Sequence, residues 1–286
     1  MTEKRMPRAL TQDIGDVDLH YLLYEGEGPT IILLHATGFQ PWLWHPIARE
    51  LPLSWRIIAP YFCDHRETEP EKGGLSWMQV AEDLAVFCSR LGIEKPGLVG
   101  HSMGATVLTL AHAAFGLDTA GLVLIEPIFL PEDFYKIRIS VDQHPLASKA
   151  IRRRDRWKDR EDALAYLRSK ELFRKWDDEM LRLYLDHGFI ENSGGDLTLA
   201  CSPKREASLF MGSVRYDPWP LLPRVGCRSL VIEGSESDNR PFIDLKKATS
   251  MMPHGKHILM EDVGHLIPME RPRETTWIVK EFFSAE

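Results

Sequence analysis

The chain has 286 residues, of which 44% are hydrophobic and 27% are charged, and this composition excludes a disordered or fibrous protein. Its length suits one or two domains, and its formal net charge of −7 gives no electrostatic footprint for nucleic acid. No apolar stretch approaches the roughly 18 residues of a membrane span, and residues 1–11 lack the apolar core of a signal peptide. We therefore expect a cytoplasmic protein that binds neither nucleic acid nor membranes.

Short apolar runs alternate with helical patterns along most of the chain. Residues 17–24 form the first predicted strand, which we expect to pair in a hairpin with the run that follows it. The later runs are residues 30–35, 56–60, 97–100, 121–125, 229–232 and 257–260. Because continuous apolar runs are typical of strands covered on both faces, they predict an α/β fold with a mostly parallel sheet and flanking helices.

One predicted helix between these strands has clear start and stop signals. Ser76 and Gln79 have the spacing of a capping box, and apolar residues then recur with a helical period. Gly92 is a natural stop because glycine accepts the left-handed conformation.

The pattern of apolar runs changes between residues 121–125 and residues 229–232. Strand-like runs disappear over residues 128–222, and charged helical segments replace them, one of which begins at Asp177 and ends at Gly188. We predict an α/β core of residues 1–127 and 223–286, with residues 128–222 inserted as a helical lid. The arginine-rich stretch 152–160 contains interleaved acids, which favour a solvated face over a phosphate site.

The four cysteines show neither the paired spacing of a metal site nor histidines at ligand spacing. They are Cys63, Cys88, Cys201 and Cys227. Without a signal peptide, free buried thiols are the favoured interpretation. We expect no metal site.

The segment Gly100-His101-Ser102-Met103-Gly104 matches the G-x-S-x-G pattern and lies between a predicted strand and a predicted helix. In that context the serine occupies a sharp turn that exposes its hydroxyl, and the helix N-terminus points at the reaction centre. Ser102 is therefore the predicted nucleophile.

A serine nucleophile needs a base, and His265 is the candidate. It follows the last predicted strand, so it is expected at the same edge of the sheet as Ser102. His101 adjoins the nucleophile but its side chain diverges from it, and His35 is expected to support a loop.

The base needs an acid to hold its tautomer, and three carboxylates are candidates. Asp238, in the polar loop after the penultimate strand, is the first choice. Glu126, directly after the strand that ends at Ile125, and Glu236 remain alternatives.

Two backbone N–H groups are expected to bind the oxyanion of a tetrahedral intermediate. One is that of Met103, just after the nucleophile, and the other is that of Thr37, in the loop after an early strand. Phe39, Trp42 and, in the predicted lid, Trp176 are candidate substrate-binding residues.

With these motifs the chain resembles the α/β-hydrolase superfamily from Val17 to Phe283, and the order Ser102, Asp238, His265 is the chain order of that family's triad. The resemblance implies a lidded hydrolase of the esterase, lactonase and carbon–carbon hydrolase branch, which needs no metal or organic cofactor. Dehalogenases and epoxide hydrolases are disfavoured because those branches place an aspartate where Ser102 stands.

Two stretches depart from the family pattern. The first loop reads His35-Ala36 where the family usually has His-Gly, and an alanine at a positive φ would cost about 1 kcal/mol. Residues 64–69 keep the family's first Asp and its Arg but lose its glycines.

The sequence therefore predicts a serine hydrolase that cleaves a small, largely apolar carboxylic ester or lactone through an acyl-enzyme. A carbon–carbon bond hydrolase of vinylogous diketones is the enzymatic alternative, and a ligand-binding receptor on the same fold is the non-enzymatic one. The expected partner is a small-molecule substrate, and no oligomeric state is predicted.

Overall fold

The computed structural model describes residues 5–284, so the outermost ends of the predicted core, residues 1–4 and 285–286, lie outside this range. The strands β1–β11 are, in chain order, Arg8–Asp13, Asp18–Tyr24, Thr30–Leu34, Arg56–Pro60, Gly97–His101, Gly121–Ile125, Arg156–Trp157, Phe189–Glu191, Leu197–Leu199, Ser229–Gly234 and Gly255–Met260. The helices α1–α10 are His45–Ala48, Trp77–Arg90, Met103–Phe115, Ala147–Ala150, Arg160–Arg168, Asp178–His187, Pro203–Gly212, Leu245–Ser250, Ile267–Glu270 and Pro272–Ser284.

The central sheet has eight strands in the order β1-β2-β4-β3-β5-β6-β10-β11. The strands from β4 to β11 in this order pair in parallel, and β2 pairs antiparallel with both β1 and β4. This confirms the mostly parallel sheet but corrects the predicted hairpin. Strand β2 forms its hairpin with the preceding β1, because β4 lies between β2 and β3.

The sheet is covered on both faces, as the continuous apolar runs require. Ile32 and Leu34 face a core layer that includes α2, α3 and α8, whereas Ile31 and Leu33 face the layer of α1 and α10. Because the inner strands are parallel, the loops that follow β3, β5, β6, β10 and β11 meet at one edge.

Helix α2 begins and ends as its sequence signals predict, apart from one contact. The Ser76 hydroxyl accepts a hydrogen bond from Met78 N–H at 3.3 Å, and Gly92 has a φ of 59°. The Gln79 side chain makes no capping-box contact within residues 5–284, and its Nε2 donates to Glu82 and Asp83.

Residues 128–222 lie between β6 and β10, but they are not purely helical. Strands β7, β9 and β8 form a separate antiparallel sheet of three short strands that contacts α5 and α6. The strands have only two or three residues each, too few to show a period-two pattern. Ion pairs such as Arg49–Glu179, at 2.8 Å, join this inserted segment to the core.

The four cysteines are free, as predicted, and all but the partly exposed Cys227 are buried. Within residues 5–284, no helix is long and apolar enough to cross a membrane.

Candidate functional site

Ser102 lies at the turn between β5 and α3. Its backbone has a φ of 55° and a ψ of −118°, which is the strained conformation expected of this motif. The backbone at Gly104 packs closely on the end of β3. A Cβ added at Gly104 would lie 2.5 Å from Leu34 O and 2.8 Å from His35 O. Only glycine therefore allows α3 to pack this closely on the loop after β3.

His265 lies in the loop after β11 and contacts Glu126. His265 Nδ1 donates a hydrogen bond of 2.8 Å to Glu126 Oε2. The same carboxylate accepts hydrogen bonds from Gly234 N–H at 2.7 Å and from the Ser237 hydroxyl at 2.6 Å. Glu126 is 1% exposed, so its charge is held by three donors in a nearly dry environment.

The backbone places Glu126 beside the serine turn. Glu126 directly follows β6, and the Ser102 N–H donates to the carbonyl of Ile125, the last residue of that strand, at 2.9 Å. Glu126 itself has a φ of 51°, a conformation that is strained for a residue with a side chain. Ser102 and Glu126, the two residues with a positive φ, therefore follow the adjacent strands β5 and β6 at the same edge of the sheet.

The carboxylate that the structure places at His265 is not that of Asp238, the first choice from the sequence. Asp238 is exposed to solvent, and within the described residues it makes no hydrogen bond to His265. Its neighbour Asn239 faces the ring instead, with Nδ2 at 2.9 Å from His265 Nδ1. The other alternative, Glu236, pairs with Lys175 of the inserted segment. The carboxylate at His265 is therefore Glu126, and the amide of Asn239 was not anticipated.

Two buried histidines hold the loops around the serine turn. His35 Nδ1 donates to Ala36 O at 2.8 Å and its Nε2 accepts from Phe62 N–H at 2.9 Å, which confirms that His35 supports a loop. His101 Nε2 donates to His265 O at 2.9 Å. Burial lowers the pKa of His35 to about 4 and that of His101 to about 3, so both rings are neutral near pH 7.

The loop after β3 contains Thr37, and it begins at His35, whose carbonyl packs against Gly104 in the first turn of α3. Phe39 N–H donates to Ala36 O at 3.2 Å, which closes a turn around Thr37, and Gly38 has a φ of 77°. Gly38, rather than Ala36, takes the left-handed conformation, so the alanine costs no strain here. Met103 begins α3, and its N–H is one of the donors that a helix N-terminus leaves free.

The structure brings two of the three predicted substrate-binding residues together. The rings of Phe39 and Trp176 lie 5.4 Å apart, and Tyr184 lies 5.7 Å from Phe39. Trp42 stacks instead on His187 at 3.9 Å. These contacts place the inserted segment directly over the loop that holds Thr37.

Across residues 5–284, no group of three or more His, Cys, Asp or Glu side chains is arranged to hold a metal ion.

Comparison with known proteins identifies relatives in sequence. The family model described as "Alpha/beta hydrolase family" matches residues 31–276. The "Abhydrolase domain-containing protein AKT2" of Alternaria alternata is 25% identical over 223 residues, which cover 66% of this chain and 82% of that protein. An uncharacterized protein of Mycobacterium bovis is 30% identical over 160 residues, which cover 53% of this chain and 47% of that protein.

Solved structures share the fold along nearly the whole chain. An E-2-(acetamidomethylene)succinate hydrolase superposes with a TM-score of 0.82 at 20% identity, covering 98% of this chain and 100% of that one. A thermophilic esterase from Thermogutta terrifontis gives 0.71 at 22% identity, with 97% and 98% covered. The enol-lactonase from Burkholderia xenovorans also gives 0.71, at 18% identity, with 96% and 100% covered. Since the family model spans most of the chain, the protein belongs to the α/β-hydrolase family and is a hydrolase by that membership.

Proposed function

We propose that the protein is a serine hydrolase in which Ser102 is the nucleophile, His265 the general base and Glu126 the acid. The observation that carries this proposal is the 2.8 Å hydrogen bond from His265 Nδ1 to the buried carboxylate of Glu126. That bond fixes the tautomer in which Nε2 carries a lone pair, which is the form that accepts a proton from serine.

In the first half of the reaction, Ser102 Oγ attacks the substrate carbonyl while His265 Nε2 takes the hydroxyl proton. The Glu126 carboxylate stabilises the imidazolium that forms. His265 then returns the proton to the leaving group, which departs as the acyl-enzyme forms. In the second half, His265 activates a water that attacks the acyl-enzyme, and proton return to Ser102 releases the acid.

The Met103 and Thr37 N–H groups are proposed to bind the oxyanion of each tetrahedral intermediate. Met103 supplies the N-terminal end of α3, whose dipole favours negative charge. Losing one such donor typically costs about 3 kcal/mol of transition-state stabilisation.

The proposed substrate is a small carboxylic ester or lactone. Phe39 and Trp176 are buried against each other, so they provide an apolar wall beside Thr37. The inserted segment, residues 128–222, is proposed to act as a lid that excludes water from this site. Carbon–carbon bond hydrolysis stays the second candidate because it uses the same three side chains.

A fluorophosphonate probe and a substrate panel test the proposal. The wild-type protein is expected to be labelled at Ser102, and the Ser102→Ala variant is expected to remain unlabelled while keeping its circular dichroism spectrum. The panel of p-nitrophenyl esters, lactones and ring-fission dienes then separates the ester and lactone activities from carbon–carbon cleavage. An unlabelled wild-type protein would instead favour a receptor on this fold.

A further inference from the structure

One arginine of the stretch 152–160 differs from the others. Most of its basic residues are exposed, as predicted for a solvated face, but Arg153 is largely buried. Its Nη1 donates to Glu206 Oε2 of α7 at 2.7 Å, and its Nη2 donates to the Tyr184 hydroxyl at 3.4 Å. The inserted segment therefore holds an ion pair in its interior.

This ion pair lies against the loop that holds Thr37. A Cβ on Gly38 would overlap Glu206 Oε1, so the carboxylate packs directly on the backbone of Gly38. Tyr184, which contacts Arg153, also packs its ring on Phe39. Glu206 and Tyr184 thus contact this loop from the inserted segment, and Arg153 donates hydrogen bonds to both of them.

The two oxygens of Glu206 have different surroundings. Oε2 is paired with Arg153, whereas Oε1 accepts no hydrogen bond from any residue between 5 and 284, although Glu206 is only 9% exposed. Oε1 keeps some contact with solvent. A carboxylate oxygen that no protein donor reaches can accept a hydrogen bond from a ligand. The pairing with Arg153 offsets the negative charge, which would otherwise oppose an oxyanion bound at the neighbouring Thr37 N–H.

We infer that Glu206 Oε1 is a substrate-binding acceptor for a hydrogen-bond donor, either a hydroxyl or an amide N–H, on the substrate's acyl group. This inference rests on the proposed function, and it makes the acyl group polar at one position rather than apolar throughout. Apolar pockets with a few fixed polar groups orient their ligands through such contacts. Arg153 acts as the positioning residue that fixes Glu206.

Matched esters that differ in one donor test this inference. The p-nitrophenyl ester of N-acetylglycine carries an amide N–H that its N-methyl counterpart, the N-acetylsarcosine ester, lacks. The 3-hydroxybutyrate and 3-methoxybutyrate esters form the corresponding hydroxyl pair. In at least one pair, the wild-type protein is expected to prefer the donor-bearing ester by about 10- to 100-fold in kcat/KM, the effect of a hydrogen bond to a charged group.

The double variant Arg153→Met/Glu206→Met removes both charges together and is expected to abolish that preference. The ratio of two kcat/KM values does not depend on the fraction of folded enzyme. The control is Arg49→Met/Glu179→Met, which removes an ion pair between the inserted segment and the core, and it is expected to keep the wild-type ratio.

Three results overturn the inference. Ratios near one for both pairs in the wild type, with measurable hydrolysis, exclude the acceptor role and leave the proposed function standing. A preference that survives in the double variant assigns Arg153 and Glu206 to structure alone. Hydrolysis of none of the esters overturns this inference, whereas the proposed function is overturned only if the wild-type protein also escapes labelling by the fluorophosphonate probe.

Discussion

At the scale of single residues, the strand that precedes a carboxylate decides whether it can reach His265. Glu126 follows β6 and reaches His265 Nδ1 at 2.8 Å, whereas Asp238, after β10, points to solvent. The sequence offered both, since both follow buried strands at one edge of the sheet. A strand pattern does not give the positions of side chains, and the choice between Glu126 and Asp238 depends on those positions.

Glu126→Gln is expected to lower kcat by about 10³- to 10⁴-fold, because an amide there favours the wrong tautomer of His265. Asp238→Asn is expected to change kcat by less than about threefold, because Asp238 is an exposed residue. Steady-state kinetics on a p-nitrophenyl ester measures both. A large loss in the Asp238 variant with a mild one in the Glu126 variant would reverse the assignment.

Asn239 faces His265 from the loop after β10, where the sequence predicted the acid. Because Nδ2 lies 2.9 Å from His265 Nδ1, an aspartate at this position would put a carboxylate oxygen at hydrogen-bond distance. We expect the Glu126→Gln/Asn239→Asp variant to recover at least about tenfold in kcat over Glu126→Gln alone.

The matched control for that rescue is Glu126→Gln/Asn192→Asp, which adds the same charge at an exposed turn of the inserted segment. Recovery in both double variants would assign the effect to net charge. Recovery in neither, with both proteins folded, would mean that Asn239 cannot position a carboxylate for His265.

At the scale of elements, the sequence predicts strands that are apolar throughout. The predicted runs from β3 to β6 and at β10 and β11 are confirmed as strands within one or two residues, although β11 at the sheet edge is only partly buried. Strand β1 was missed because Arg8–Asp13 is a mostly polar strand at the sheet edge. The small sheet of the inserted segment was missed because its strands are too short to show a period.

The residues of the candidate site also fall into those that a strand pattern predicts and those that it does not. Ser102 and His265 are predictable because each follows a recognisable strand, β5 and β11 respectively, and the position of Thr37 follows from β3. Contacts made by the inserted segment, such as that of Glu206 with Gly38, join residues far apart in sequence. Tertiary packing alone decides them, so no local pattern of residues gives a signal for them.

Trp176→Ala tests the inserted segment as a determinant of specificity. Trp176 is 7% exposed and packs on Phe39, Phe173 and Tyr184. Removing it opens the apolar wall, so kcat/KM ratios between long-chain and acetate esters should change by about tenfold or more. Leu172→Ala, at a residue that is 55% exposed in the same segment, is the control and should keep the wild-type ratios. Equal effects on both chain lengths would leave the segment a structural domain.

At the scale of the whole molecule, neutral buried histidines join the loops at the carboxyl edge of the sheet. His35 links the loop after β3 to the one after β4, and His101 links β5 to the loop after β11. Their ring nitrogens make these bonds in a defined tautomer, so the loops around Ser102 depend on uncharged imidazole.

Acidification is therefore expected to destabilise the fold before most carboxylates titrate. Because burial lowers the pKa of His35 to about 4 and that of His101 to about 3, the unfolded chain binds more protons once the pH falls below about 6.5. The stability that these rings contribute is complete above that pH and is lost as the pH falls toward their folded pKa values. At pH 5 the protonation difference at each ring should have lowered the free energy of unfolding by about 2 kcal/mol relative to pH 7.

Urea denaturation at both pH values measures this loss. His101→Gln should reduce it, whereas His254→Gln, at an exposed position, should not; an undiminished loss in His101→Gln would show that its proton uptake does not drive the destabilisation.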